Sequence, residues 1–414
     1  MLVVKEKKRD LKNEIESIRQ EFPVLKECTY LISNSLGAVP RKVSSGLERF
    51  YSLWAEQGVG AWKTEWWDLS CRIGDKLASF IGAGPNEVTM LTNATQCHWA
   101  ALSTKFTLKG NKRNKIVMTE YDFPSILYAV SKIAKFTGWE VKIIPGNGMD
   151  PGIDVERIIE NIDDRTLFVA TSHVYFKSAF IQDITAITSQ ARRVGAYSLI
   201  DGYHAPGVIP VDVKKLKADF YVGGCLKWLC GGPGNAFLYV DPELASACEP
   251  SLTGWMAHAL PFDFSNDLNF SQGAYKFMSG TPPVACLYSV EPGLDIIRKV
   301  GIEAIREKSK HQTEEIIKKA CEMDFKVYSS KKSDQRGGAV SLGLPHAFQV
   351  SQALEQKNIR VDFRKGDKSV PDVIRVGPHF YTRDEEIEIL FENIRFIFKS
   401  GAYKKFPDII THVT

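Results

Sequence analysis

The sequence has no apolar run of the length a membrane-spanning helix needs. Its opening stretch, MLVVKEKKRDLKNEIE, turns charged almost at once and carries no apolar core of the secretory kind. Cysteine is sparse: eight in 414 residues, scattered from Cys28 to Cys321. No pair is spaced as CxxC, and the histidines show no ligand spacing, so no metal site is expected. A chain this long has no need of disulfide staples, and the expected setting is reducing and cytoplasmic. Neither sign of charge dominates. The surplus is +4, too little to argue for nucleic acid or an anionic membrane as partner. The densest basic stretch, KGNKRNK (109–115), holds no aromatic and reads as a solvated turn. Repeats and low-complexity tracts are absent as well.

What the chain does have is alternation. EVTMLT reads as a strand, and NATQCHWAALSTKF as a helix opening on Asn93. KIVMTE, WEVKIIP, TLFVATS and YSLID are further strands, with helical stretches between several of them. This order predicts an α/β fold, with a mostly parallel sheet covered by helices on both faces. ADFYVGG and NAFLYV lie close in sequence and can pair antiparallel. Beyond Pro283 come a long charged helix from about Val300 to Met323, short strands, and a final helix from Asp384 to about Lys399. That texture suits a smaller α+β domain. The expected division is an N-terminal segment (1–50) packing with the small domain and the cleft, a large domain (51–285) and a small domain (286–414).

Between the two paired strands stands GGCLKWLCGGPG, with Lys227 walled by Cys225, Leu226, Trp228, Leu229 and Cys230. An ammonium in apolar surroundings lowers its pKa and becomes a neutral amine, which is what attack on a carbonyl requires. Alone, a lysine that snorkels out of a core turn is the stronger reading. Other features fall at strand ends, where open α/β sheets bind ligands. Ala94 and Thr95 open a helix after EVTMLT, and N–H groups there suit a phosphate or simply follow an N-cap. Phe123 and Ser125 follow KIVMTE, and the ring can stack on a flat cofactor or lie in the core. Asp201 ends YSLID, with His204 three residues on. Asp201 and Lys227 are one strand excursion apart and can face the same crevice. A lysine for a Schiff base, an acid for a pyridine nitrogen, a phosphate cup and a ring stacker together fit pyridoxal 5′-phosphate better than other cofactors.

Several segments carry a resemblance over nearly the whole chain. They are, in order, YLISNSLGAVP, WWDLSCRIGDKLASFIGA, FPS, SHV, DGYH, GCLKWLCGGPG, GW, TPP and PDVIRVGP. The chain resembles the kynureninase family, within the class V, fold-type I pyridoxal-phosphate enzymes. The resemblance implies a cofactor-dependent hydrolase that cleaves the Cβ–Cγ bond of kynurenine or a related amino acid, as in tryptophan catabolism. Lys227 would carry the cofactor, Asp201 would bind the pyridinium with His204 nearby, and Phe123 would stack on the ring. Ala94, Thr95, Ser125 and Ser172 would lie by the cofactor. Trp255 and Thr281 would reach a phosphate held by the other subunit of a homodimer. Arg375 would grip the substrate α-carboxylate, a job that suits a bidentate guanidinium. Asn34, Trp66 and Trp67 would border the substrate; the two tryptophans serve equally well as core or dimer packing.

The departures concern proton transfer. Leu226 stands where the family has a tyrosine, and Ile126 where it has an acid beside the cofactor. Tyr175 replaces an asparagine after HV. Two alternatives therefore stay open: another class V reaction on an amino acid (lyase, epimerase or transaminase), or a non-catalytic protein of this fold. A cysteine desulfurase is a poor candidate, since no cysteine follows Cys321.

Overall fold

The structure, a computed structural model, describes residues 14–104, 113–148, 150–366 and 371–407. The opening charged stretch and the first half of KGNKRNK lie outside the described residues. The rest of that basic stretch is not a solvated turn. Lys115 begins a strand with its ammonium on the Asn161 carbonyl (2.9 Å) and on Asp163 (2.6 Å), and Arg113 donates to the Val194 carbonyl.

Among the described residues thirteen strands follow in chain order: β1 (Thr29–Tyr30), β2 (Val88–Leu91), β3 (Lys115–Thr119), β4 (Glu140–Ile144), β5 (Thr166–Ser172), β6 (Tyr197–Asp201), β7 (Phe220–Gly224), β8 (Ala236–Val240), β9 (Lys326–Val327), β10 (Val340–Gly343), β11 (Ile359–Arg360), β12 (Asp362–Arg364) and β13 (Val373–Val376). Seven of them form one sheet in the order β2-β8-β7-β6-β5-β3-β4. All its neighbours pair parallel except β8, which runs against both β2 and β7. The sheet is thus mostly parallel, and the antiparallel β7–β8 pair flanks the lysine turn.

The strands are apolar on both sides because both faces are covered. Ile116, Met118, Phe168, Ala170, Leu199, Phe220, Val222 and Leu238 point into one core cluster. Their chain neighbours Val117, Val169, Ile200, Tyr221 and Phe237 point into another. This is the period of two that a strand imposes. The helix Ala94–Ser103 lies on the first face, capped by Asn93, whose side chain accepts from the Gln96 N–H. On the second face, Leu287, Leu294 and Ile297 from helices Val284–Tyr288 and Val290–Val300 join Ile73 and Leu77.

A second sheet, β12-β13-β10-β9, is antiparallel and packs with helices Ile302–Glu322, Ala347–Glu355 and Asp384–Ser400 around a third cluster. The N-terminal segment touches this sheet while its Phe22, Leu25 and Ala38 pack into the core of the large sheet. Strand β1 pairs with β11, and the buried Arg19 meets Glu386 at 2.8 Å. The NSLG turn that follows β1 is thereby held against β12. Among the described residues, no helix is long and apolar enough to cross a membrane.

Candidate active site

The lysine turn is fixed by backbone contacts from both sheets' surroundings. Gly231 N–H closes it on the Cys225 carbonyl at 2.7 Å. From outside, Gly37 N–H donates to the Leu226 carbonyl at 2.8 Å, and His379 Nε2 donates to the Trp228 carbonyl at 2.9 Å. Gly37 has to be glycine here, because a Cβ would lie 2.1 Å from the Lys227 carbonyl oxygen. Cys225, Trp228, Leu229 and Cys230 are buried and anchor the turn, which leaves the partly buried Leu226 and Lys227 at the cavity.

Lys227 projects into a cavity of about 390 Å³ rather than into bulk water. Burial, then the charge of Arg375, pushes its amine down to about 7, with Asp201 pulling the other way. Nζ shares a 2.5 Å hydrogen bond with His204 Nε2, and His204 is itself held neutral, well below its usual range, by burial and by the Lys227 charge. Nζ lies 5.8 Å from the Phe123 ring centre and 5.0 Å from that of Tyr203.

Asp201 faces the same cavity from the end of β6. Burial raises its carboxyl to about 6, against the pull of the Tyr203 N–H at 2.9 Å and of the Lys227 charge. Ala94 and Thr95 present the start of their helix to the cavity, with Phe123, Ser125, Ser172 and His204 around it. Ser172 is set by Asp122, a fully buried carboxylate that accepts from the Ser172 N–H (2.6 Å), the Thr119 N–H (2.8 Å) and the Thr119 hydroxyl (2.9 Å). Phe123 is half exposed and meets Phe176 edge-on at 5.1 Å. A neutral amine, an acid across from it, a flat ring and open helical N–H groups around one cavity of this volume fit pyridoxal 5′-phosphate.

Other expected residues are not brought to this cavity within the chain. Trp66 is buried against Phe50 (5.1 Å, stacked) and is core. Trp67 packs with Phe262 (4.6 Å) and Trp255 (5.5 Å) in an aromatic group beyond the cavity, and Trp255 and Thr281 are exposed. Asn34 is buried, its amide donating to Asp362 at 3.0 Å. Arg375 is buried too. One of its terminal nitrogens donates to Asp362 and the other to the Phe176 carbonyl. Leu226 lines the wall where a hydroxyl is expected. Ile126 does not stand beside the cavity but packs wholly in the core with Met118 and Cys97. Tyr175 points away, its hydroxyl taken by Gln182 at 3.1 Å.

The structure also adds residues that sequence reasoning passed over. His98 lies one helical turn beyond Ala94, a spacing that could have flagged it. Tyr203 and Phe176 stand beside recognised segments and line the wall, as does Arg364. Arg364 lies two residues from Asp362 on β12, so both side chains share one face of the strand. Asp362 is the cross-strand partner of Arg375.

With this geometry in hand, the comparisons with known proteins are direct. The family described as Aminotransferase class-V matches residues 29–390. The chain belongs to this family, whose cofactor is pyridoxal 5′-phosphate. Among curated relatives it is similar to a kynureninase of Burkholderia pseudomallei (strain K96243), 30% identical over 97% of this chain and 96% of that one. A kynureninase of Pseudomonas fluorescens is 28% identical over 89% and 88% of the two chains. Among solved structures, the apo cysteine desulfurase of Thermococcus onnurineus NA1 superposes with a TM-score of 0.81 at 22% identity, over 93% of this chain and 98% of that one. The cystine C–S lyase C-DES, in complex with cysteine persulfide, superposes with a TM-score of 0.80 at 21% identity, over 90% and 98%. These two establish the fold.

Proposed function

We propose that the chain is a pyridoxal-phosphate-dependent hydrolase that cleaves the Cβ–Cγ bond of kynurenine or a related amino acid, giving alanine and a carboxylic acid. One observation carries the reading: Lys227 and Asp201 face a single cavity at the strand ends, in a chain similar to kynureninases over almost its full length. When bound, the cofactor supplies a carbonyl carbon for the amine and a ring that draws electron density from the substrate Cα. Lys227 holds it through Nζ. An amine near neutrality suits both that attachment and the later removal of the Cα proton. His204 keeps Nζ in place, Asp201 keeps a proton on the ring nitrogen, and Phe123 covers one ring face. The N–H groups of Ala94 and Thr95 receive the phosphate, with Ser125 and Ser172 beside the cofactor.

The substrate carboxylate goes to a pair of guanidiniums, Arg364 on the cavity wall and Arg375 behind it, with Asp362 between them. Trp255 and Thr281 face outward, and we assign them, with Trp67 beside them, to the cofactor site of a second copy in a homodimer. Hydrolysis adds the water hydroxyl to Cγ. The Cβ–Cγ electron pair stays on Cβ, which takes a proton. Leu226 cannot deliver that proton.

Incubation with kynurenine or 3-hydroxykynurenine should release a fluorescent anthranilate, and Lys227→Ala should lose both the product and the colour of the bound cofactor. A second reading, another class V reaction on an amino acid, is favoured by the apolar Leu226 on the wall. It wins if amino acids perturb the cofactor spectrum while no anthranilate forms. If no amino acid perturbs it, the protein is a non-catalytic member of the fold. Desulfuration finds no support: among the described residues no cysteine lines the cavity, and Cys321 is exposed on the helix Ile302–Glu322.

A further inference from the structure

His98 is buried on the helix Ala94–Ser103 and lines the cavity. Neither ring nitrogen has a hydrogen-bond partner among the described residues. Buried polar atoms are nearly always paired, because an orphan loses its water and gains nothing. The helix gives no internal reason for a histidine here, since its neighbours Cys97 and Ala101 are simply buried in the core. The ring is aimed at one group. Its Nε2 lies 3.7 Å from Asp201 Oδ2, while Asp201 Oδ1 is taken by the Tyr203 N–H at 2.9 Å.

We propose that His98 is a positioning residue for Asp201, its neutral ring donating from Nε2 to Oδ2 and so holding the carboxylate ionised against the ring nitrogen of the cofactor. This rests on the pyridoxal-phosphate reading above. Three physical points support it. A contact of 3.7 Å closes to hydrogen-bond length with a small shift of either side chain. Asp201 sits where burial favours the protonated acid, and a second donor beside that of Tyr203 would favour the ionised form. Burial keeps His98 itself far below its normal range, down to about 3. It therefore supplies a donor without placing a second cation beside a pyridinium. The other titratable groups facing Asp201 are Tyr203 from the following loop, Tyr221 from β7, Cys97 from the same helix as His98, and Lys227 from the turn. Burial keeps the phenols and the Cys97 thiol protonated, so none competes for the role of anion.

The test uses holoenzyme loaded with cofactor labelled with ¹⁵N at the ring nitrogen, whose chemical shift reports ring protonation directly. His98→Leu keeps the bulk and removes the donor. His98→Gln places an amide near the position of Nε2. In His98→Leu the pH at which the ring nitrogen loses its proton should fall by about one unit or more, the size of one charge-assisted hydrogen bond. Cofactor retention should weaken about tenfold, and His98→Gln should restore most of both. An unchanged ¹⁵N titration in His98→Leu would overturn the proposal. Equal shifts in the two variants would overturn it too, since packing rather than donation would then be the cause. A colourless wild type that binds no cofactor would instead sink the cofactor reading itself, and the proposal with it.

Discussion

Replacing Lys227 by methionine should make the cofactor-free protein more stable, and the gain should vanish at high pH. The folded state lowers this amine from 10.5 to about 7. In the unfolded chain it would sit near its ordinary value. Below pH 7 both states carry the charge, and the folded state bears the whole penalty of keeping it out of water. Between about pH 7 and 10.5 the folded state has already shed its proton while the unfolded state has not, so stability rises with pH. Above 10.5 both are neutral and nothing remains. At about 1.4 kcal/mol per pH unit, the full penalty is about 4–5 kcal/mol. Lys227 keeps some water in the cleft, so a difference of about 2–4 kcal/mol is expected at pH 6. Methionine matches the length of the stem without the charge. Urea unfolding of both cofactor-free proteins at pH 6, 8 and 10 measures the difference. An advantage absent at pH 6, or equal at pH 6 and 10, would refute the claim that the turn holds its lysine at a cost in stability.

Three further outcomes follow from the same contacts. Asp362→Asn should cost about 3–5 kcal/mol in urea unfolding, because it strands the buried Arg375 without its counter-ion; a loss under about 1 kcal/mol would mean that the pair is not held in solution. Gly37→Ala should destabilise by about 1–3 kcal/mol and weaken cofactor retention, since the new methyl meets the Lys227 carbonyl; wild-type retention would show that the turn can shift freely. Leu226→Tyr should raise anthranilate release by about tenfold or more if a proton donor is what the wall lacks; no gain would place that role elsewhere.

The sheet and the cavity at its strand ends are legible in the sequence because each rests on a local pattern. Ala94, Phe123, Asp201 and Lys227 all lie at or shortly after the end of a strand, and an open α/β sheet brings such ends together. What escaped depends on pairings between distant segments. Asp362 meets Arg375 only because β12 and β13 lie side by side in a register that puts them opposite each other. The sequence alone does not show that Arg375 meets a carboxylate of its own chain, the Asp362 opposite it. Trp66 and Trp67 are chain neighbours with different surroundings, one facing Phe50 and the other Phe262, and composition does not separate them. Ile126 was misplaced for a similar reason. It opens a helix, and the side that helix turns to the core is set by Val130 and Ile133 further along.

The charge of Lys227 is set partly by the small sheet. After burial, Arg375 is the largest influence lowering the amine, and Arg364 adds to it, while Asp201 and Asp362 oppose them. Two guanidiniums around one carboxylate leave a surplus positive charge facing the lysine. A carboxylate arriving at that pair cancels the surplus, so Lys227 should regain basicity as substrate docks, before a proton is taken from Cα. The argument can be checked without turnover. In cofactor-free protein, the pH midpoint of Lys227 modification by an amine reagent should rise when 3-phenylpropionate, a carboxylate lacking the amine, is present. Arg364→Ala should remove most of that rise. A midpoint indifferent to the carboxylate would mean that the arginines act on the substrate alone, and that the lysine owes its neutrality to burial.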